Sequence, residues 1–425
     1  MKTFGKNVKS LLALILILSV ALLMSACSGN DGKKDETDAP TKTAEAETDA
    51  PTKTAEAETD APTEPETNPG GEALAFVSNL KIGWNLGNTF DASDCNWLED
   101  EMEYETAWCG AKTTKEIIKL LKDKGFNAVR IPVSWHNHVS EDGKYTISAK
   151  WLERVNEVVD YCIDEDMYVI LNIHHDNSTE FMYPTSKYLD QSIDYVTTVW
   201  TQLADRFGDY DNHLIFECMN EPRMVGHNNE WWIDNSADCK DAIDCINKIN
   251  QAFVDTVRKT GGNNASRYLA CPGYDASPDG ALNSGFVIPE DIEGNDNRII
   301  ISVHAYTPYD FALEYPGTDK WSSSDSGDLA NMTGFMDRLY QKYVKKGIPV
   351  IIDEFGARDK NGNTAARADF AARYIAAAKE RGMVCFWWDN NAFEGDGELF
   401  GILNRGKCEF AYPEIVDALI KSAED

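Results

Sequence analysis

The sequence contains no C-x-x-C pair, no G-x-G-x-x-G after a strand-like run, no G-x-S-x-G and no phosphate-cradling glycine loop. These absences argue against a zinc or iron–sulfur site, a dinucleotide site, serine-esterase chemistry and nucleotide-phosphate binding. Basic charge is also scarce: 40 Lys and Arg stand against 71 Asp and Glu, a formal net charge of −31. Such a surface repels nucleic acid and leaves neutral polymers unaffected. Seven of the ten cysteines fall into two groups. Cys162, Cys218 and Cys385 sit in apolar periodic segments and are expected to be buried and free. Cys95 with Cys109, and Cys239 with Cys245, are expected in polar loops and are candidates for pairing in an oxidising space.

Three regions differ in composition. In residues 1–27, Lys2, Lys6 and Lys9 precede the apolar run Leu11–Met24 and the small residues Ser25 and Ala26, the layout of a secretory leader. Met24-Ser25-Ala26-Cys27 resembles a bacterial lipobox, which makes Cys27 the expected lipidation site; simple cleavage and an uncleaved anchor are the competing readings. Residues 28–72 repeat the unit Thr-Asp-Ala-Pro-Thr-Lys-Thr-Ala-Glu-Ala-Glu from Thr37 and again from Thr48. That unit has no hydrophobic face to stack, so a solenoid is excluded and a disordered acidic linker is expected.

From residue 73 to 425 short apolar runs alternate with helical periodicity. Strands are expected at Lys81–Leu86, Asn127–Val133, Tyr168–His174, His213–Met219, Arg267–Cys271, Arg298–Tyr306, Ile348–Glu354 and Met383–Trp388. Their nearly continuous apolar character suits parallel strands buried on both faces. Thr113-x-x-Glu116 reads as a capping box for a helix to Lys124, and Trp151, Leu152, Val155, Val158, Val159 and Cys162 form one apolar stripe. The pattern gives an α/β fold, either a (β/α)8 TIM barrel or an open doubly wound sheet. The barrel is preferred because Arg130, His174, Asn220, Glu221, His304, Tyr306, Glu354 and Trp388 all fall near C-terminal strand ends, and only closure brings so many ends around one cavity.

Glu221 in Asn220-Glu221-Pro222 and Glu354 in Asp353-Glu354-Phe355-Gly356 each follow a buried apolar run. A carboxylate there is costly unless the chain uses it. Two converging carboxylates are the minimum equipment for cleaving a glycosidic bond.

Read in order, Gly83-Trp84-Asn85-Leu86-Gly87-Asn88-Thr89, Arg130-Ile131-Pro132-Val133-Ser134-Trp135, Asn172-Ile173-His174-His175, Asn220-Glu221-Pro222, His304-Ala305-Tyr306-Thr307-Pro308-Tyr309, Asp353-Glu354-Phe355-Gly356 and Trp387-Trp388-Asp389-Asn390 resemble glycoside hydrolase family 5 over residues 74–425. Glu105-Thr106-Ala107-Trp108 and Trp387–Asn391 look most like its subfamily 4 endo-β-1,4-glucanases, acting on cellulose, mixed-linkage β-glucan and xyloglucan. The resemblance implies Glu221 as acid/base, Glu354 as nucleophile, and carboxyls about 5–5.5 Å apart, as retention requires. It implies that Arg130 and Tyr306 serve Glu354, that Asn220 and His174 contact sugar hydroxyls, that His304 joins the network around both carboxylates, and that Trp388 floors the subsite of the distorted sugar. Glu221 is expected to begin protonated. Trp84, Trp97, Trp135 and Trp321 are further cleft candidates, and Trp387 should point into the barrel wall.

No cofactor or metal is expected. A metal at His174-His175-Asp176 is disfavoured because adjacent strand residues point to opposite faces. The partner implied is a β-glucan, with a monomeric chain touching membrane only through a lipid at Cys27 and located extracellularly or on the cell surface. Competing readings are a β-mannanase or xylanase of the same family, and a surface glycan-binding lipoprotein without turnover.

Overall fold

The computed structural model describes residues 71–395 and 397–424. The expected leader, Cys27 and nearly all of the expected linker lie outside the described residues. Residues 71 and 72, assigned above to the linker, instead open the helix Gly71–Asn79, whose Ala73 and Val77 are buried.

The strands are β1 Gly83–Leu86, β2 Ala128–Ile131, β3 Tyr168–Asn172, β4 Leu214–Glu217, β5 Leu269–Pro272, β6 Ile299–His304, β7 Val350–Phe355 and β8 Val384–Asp389. All of the expected strands are present, most of them shorter than expected. Each is parallel to its neighbours in the chain, and β8 closes on β1 with Gly83 opposite Phe386 and Asn85 opposite Trp388. That last ladder excludes the open sheet. The helices Lys115–Lys124, Ala149–Asp164, Leu189–Arg206, Ala237–Thr260, Pro278–Leu282, Ser326–Lys342, Thr364–Lys379 and Pro413–Glu424 follow the strands in turn.

Two apolar layers hold the cylinder. Outside, the helices bury one stripe each; on Ala149–Asp164 this is Trp151, Val155, Val158, Val159 and Cys162, with Leu152 half-buried at its edge. Inside, Ile170, Ile215, Ile300, Ile351, Val384 and Phe386 meet the N-terminal helix, whose Phe76 stacks on Tyr268 at 3.7 Å. The Phe386 ring fills the interior beside β1. A Cβ on Gly83 would lie 2.0 Å from it, so only glycine leaves that space. Burial on this scale, at roughly 25 cal/mol per Å² of apolar surface, is the main favourable term for the fold.

Two local expectations fail. Thr113 is not a cap: the helix starts at Lys115 behind Thr114, and the Thr113 amide donates to Glu105 Oε1 at 2.8 Å. Glu105 is buried and paired with Arg154, so tertiary pairing displaced the local signal. Every described cysteine is free, including both pairs proposed above. Cys239 and Cys245 lie on one helix. Six residues of helix separate Cα atoms by roughly 9 Å, beyond disulfide reach. Cys109 Sγ instead donates to Ala111 O at 3.2 Å, and Cys95 Sγ to Ser93 O at 3.4 Å. Cys162, Cys218 and Cys385 are buried and free, as expected. Among the described residues no helix is long and apolar enough to cross a membrane.

Candidate active site

The C-terminal strand ends converge on one guanidinium. Arg130, at the end of β2, is fully buried. Its Nε and Nη2 donate to Glu217 of β4 at 2.6 and 2.8 Å. Its Nη1 donates to Glu354 Oε1 of β7 at 2.6 Å and to Asn85 Oδ1 of β1 at 3.0 Å. Its Nη2 also donates to Asn220 Oδ1 at 2.8 Å. A cation in this setting persists only because carboxylates surround it.

Glu354 reaches the mouth through an irregularity in β7. Val303 faces Ile352 and His304 faces Glu354, so Asp353 is the extra residue of a bulge. Bulges re-aim side chains at barrel rims. Asp353 turns inward and accepts from Ser302 Oγ at 2.7 Å and from the Val303 amide at 3.0 Å. Burial, then the Glu217 charge, raises its carboxyl to about 7. Glu354 Oε2 accepts from Tyr306 Oη at 3.0 Å, and burial keeps that phenol protonated far above its ordinary range.

His304 joins the two glutamates. Its Nδ1 lies 2.9 Å from Glu221 Oε1 and 3.6 Å from Glu354 Oε2. The nearest oxygens of the two carboxylates fall within 4.8 Å of each other. Burial opposes charge on the ring, yet Glu354, the Glu221 hydrogen bond and Asp353 outweigh it and lift His304 to about 9. Burial likewise opposes charge on Glu221. The His304 bond and charge, followed by Arg223 and His175, overcome it and draw Glu221 down to about 2. Both shifts favour an ionised Glu221 beside a charged His304, in place of the protonated Glu221 expected from the sequence.

The residues expected to face a sugar are also together. Asn172 Nδ2 donates to His174 Nδ1 at 3.1 Å, and burial keeps that ring neutral, so its Nε2 carries the hydrogen. The His174 ring stacks parallel to Trp388 at 5.9 Å. Gly87 makes room for that indole, since a Cβ there would be 2.7 Å from it. Trp387 points into the wall and donates to Phe400 O at 3.1 Å. Of the four further tryptophan candidates, Trp84, Trp135 and Trp321 are core residues and only Trp97 is exposed, at 68%. Trp84 and Trp135 spend their indole N–H groups on Asp389 and the Asn172 carbonyl.

His174 and His175 are not held on opposite faces, contrary to expectation. β3 ends at Asn172, so the alternation of faces stops before the histidines. Their rings meet at 4.4 Å, and ligand atoms of Asp91, His174 and His175 come within 4.8 Å of one another. The donor set still does not fit an ion. Asp91 already accepts the Asn88 and Thr89 amides, and His174 Nδ1 is taken by Asn172. The groups Glu217–His304–Asp353 and Glu221–His304–Glu354 are likewise occupied by Arg130, Ser302 and Tyr306.

Sequence reasoning passed over Glu217, Arg223, Asp275 and Trp231. Glu217 had a signal, being a carboxylate inside the apolar run Leu214–Met219. Arg223 Nη1 donates to Glu221 Oε2 at 3.2 Å, and its guanidinium covers the Trp231 ring at 4.1 Å. Trp231 is itself 55% exposed. Both belong to an irregular loop, where periodicity is silent.

Comparison with known proteins gives one answer. The model of Cellulase (glycosyl hydrolase family 5) matches residues 90–394. A cellulase/esterase of Acetivibrio thermocellus is 44% identical over 353 residues, which is 83% of this chain and 40% of that protein. Endoglucanase A of Clostridium longisporum is 40% identical over 82% of this chain, which spans 65% of that relative. Among solved structures, a family 5 lichenase from Caldicellulosiruptor sp. F32 in complex with cellotetraose superposes with a TM-score of 0.82 at 54% identity, covering 86% of this chain and 99% of the lichenase. A broad-specificity endoglucanase from Ruminococcus champanellensis with bound cellotriose gives 0.76 at 45% identity, covering 82% and 98%.

His304 contributes to the pH dependence of stability, beside Asp353 and Asp275. Its folded value lies above the ordinary 6.5, so its contribution is present below 6.5 and is lost as pH rises through about 9. Denaturant unfolding below pH 6.5 and above pH 9 is expected to give the lower stability at the higher pH. His304→Asn is expected to shrink that difference; a variant with the wild-type difference would place its origin elsewhere.

Proposed function

The chain belongs to glycosyl hydrolase family 5, and from that premise we propose that it is a retaining endo-β-1,4-glucanase of cellulose-type polysaccharides, with Glu354 as nucleophile and Glu221 as acid/base. The observation that carries this reading is the approach of the two carboxylates to within 4.8 Å around His304. Inverting pairs stand about 6.5–9.5 Å apart to admit a water, whereas retaining pairs stand about 5–5.5 Å apart.

Each step has a residue. Arg130 and Tyr306 hold Glu354 by hydrogen bonds to both its oxygens, which orients an ionised carboxylate toward the anomeric carbon. Glu354 attacks, the bond to the departing oxygen breaks, and Glu221 delivers a proton to that oxygen. His304 stands 2.9 Å from Glu221. A sugar covering Glu221 raises the cost of its charge and favours its protonated form. Once Glu354 is esterified it no longer supports the His304 charge. Glu221 then takes a proton from water, and the hydroxide equivalent releases the sugar with retained configuration. Asn220, fixed by Arg130 through its oxygen, keeps its amide hydrogens for a sugar hydroxyl, and His174 offers Nε2–H. Trp388 supplies an apolar face for a pyranose ring.

The substrate reading also draws on the relatives: a lichenase bound to cellotetraose and a broad-specificity endoglucanase bound to cellotriose share this barrel. We further propose export, with the repeat segment as a stalk and Cys27 as a lipidated anchor on the cell surface; the leader pattern before Cys27 supports it.

Glu354→Gln is expected to abolish hydrolysis of barley glucan and carboxymethylcellulose while leaving cellotetraose binding intact by calorimetry. Glu221→Ala is expected to lower kcat/KM on glucans by roughly 10²–10⁴-fold, and far less on aryl glycosides with good leaving groups. Proton NMR of the first product should show the β-anomer; the α-anomer would overturn retention. A panel adding xyloglucan, glucomannan and xylan tests specificity, and dominant release from mannan or xylan would replace the glucanase reading. Cys27→Ala is expected to move the protein from the membrane fraction to the medium and to remove radiolabelled palmitate; unchanged fractionation would refute the anchor.

A further inference from the structure

Glu221 is engaged by cations on both oxygens. His304 occupies Oε1 at 2.9 Å, and Arg223 occupies Oε2 at 3.2 Å. An acid needs one oxygen for a proton. His304 also faces Glu354, so its charge serves both carboxylates. Arg223 lies on the outer side, and there it has other partners. Its Nε is 3.4 Å from Glu230 Oε1 and 3.9 Å from Asp275 Oδ1.

Asp275 is built into the site in a strained form. It lies in the turn after β5, at φ 57° and ψ 21°, and Ala276 beside it is at φ 44°. Non-glycine residues persist in this region where surrounding structure imposes it. Here the turn is stitched to the loop carrying Glu221. The Asp275 amide donates to Pro222 O at 2.9 Å, and Tyr274 Oη donates to Asn229 O at 2.7 Å while accepting from the Met224 amide at 3.1 Å. The Asp275 carboxyl is almost enclosed, and its Oδ1, nearest to Arg223, has no hydrogen-bond partner. A buried polar atom left unpaired is unfavourable. It is an acceptor held ready for a donor that the present arrangement gives to Glu221.

We propose, on the basis of the glycosidase reading above, that Asp275 is a positioning residue for the acid: Arg223 passes from Glu221 to Asp275 when a sugar covers the site, and as it does so Asp275 gives up a proton and Glu221 takes one. The exchange conserves charge and protons. Before it, the Asp275 carboxyl is neutral and Arg223 pairs with the Glu221 carboxylate. Afterwards Arg223 pairs with the Asp275 carboxylate, and Glu221 Oε2 carries the proton destined for the departing oxygen. Burial, followed by the Glu221 charge, lifts Asp275 to about 8, consistent with a neutral carboxyl at the outset. The charged groups facing this pair are Arg223 and Glu230 from the loop after β4, His304 from β6, His175 beyond β3, Glu354 from β7 and Glu398 from the loop after β8.

The test compares the full chain with Asp275→Asn and Asp275→Gly, both of which suit a positive φ and remove the carboxyl. Two substrates are used: cellotetraose, whose departing sugar needs protonation, and 2,4-dinitrophenyl cellobioside, whose leaving group does not. General acid assistance is worth roughly 10²–10⁴-fold, so losing part of it should lower kcat/KM on cellotetraose by about tenfold while the aryl glycoside changes by less than about twofold. The basic limb of kcat/KM for cellotetraose should move upward from near 8, set by Asp275, towards about 9, set by His304. Equal losses on both substrates, or a lower rate with an unmoved limb, would reduce Asp275 to a structural role and overturn the proposal. Retention of full cellotetraose activity in both variants would overturn it too. A wild-type chain inert on both substrates would instead defeat the glycosidase reading itself, which separates the two failures.

Discussion

The buried guanidinium of Arg130 is the interaction on which the site depends. It joins β1, β2, β4 and β7, strands distant in sequence that meet only because the barrel closes. Its five N–H donors form a rigid fork, and here the fork is divided between a pair with Glu217 and single bonds to Glu354, Asn85 and Asn220. Glu217 neutralises the charge, so Arg130 can hold Glu354 without relying on Glu354 for its own solvation. A lysine would offer a point charge and could not keep these bearings at once. Around this centre the apolar layers act as scaffold. They fix the strand register, and the register fixes where each polar side chain emerges.

The electrostatics of the mouth follow from crowding carboxyls in a largely buried space. Among the described residues, Asp353, Asp275, Glu217, Glu221 and Glu354 lie near three cations, Arg130, His304 and Arg223. Not every acid there can be ionised. Asp353 and Asp275 move up to about 7 and 8, while Glu221, touching two cations, moves down to about 2. Environments that drive like groups apart are how a site supplies both a base and an acid at one pH.

Much of this was legible in the sequence. The barrel was readable because its strands are buried on both faces and so carry unbroken apolar runs, such as Ile299–Val303, that no helix stripe resembles. Glu221, Glu354, Arg130, His304 and Trp388 were readable because each ends such a run. Asp275, Arg223 and Trp231 were not, because they sit on loops whose conformation is imposed by contacts such as Asp275 N with Pro222 O. The cysteine pairings failed for a related reason. Polar neighbours suggested exposed loops, whereas Cys239 and Cys245 lie on the buried face of one long helix. The argument from alternating faces at His174 failed because a strand's period says nothing past its last ladder residue, Asn172.

The unpaired sulfurs carry a consequence of their own. The fold draws nothing from oxidative cross-linking, so a cytoplasm rich in glutathione should yield the same barrel as an aerobic medium. Heat-opened chains differ, because they would release nine thiols from the described residues into solvent at once. Scrambled and intermolecular bridges then compete with renaturation, and the enzyme's lifetime at high temperature becomes a matter of how seldom it opens rather than of how stable it is on average.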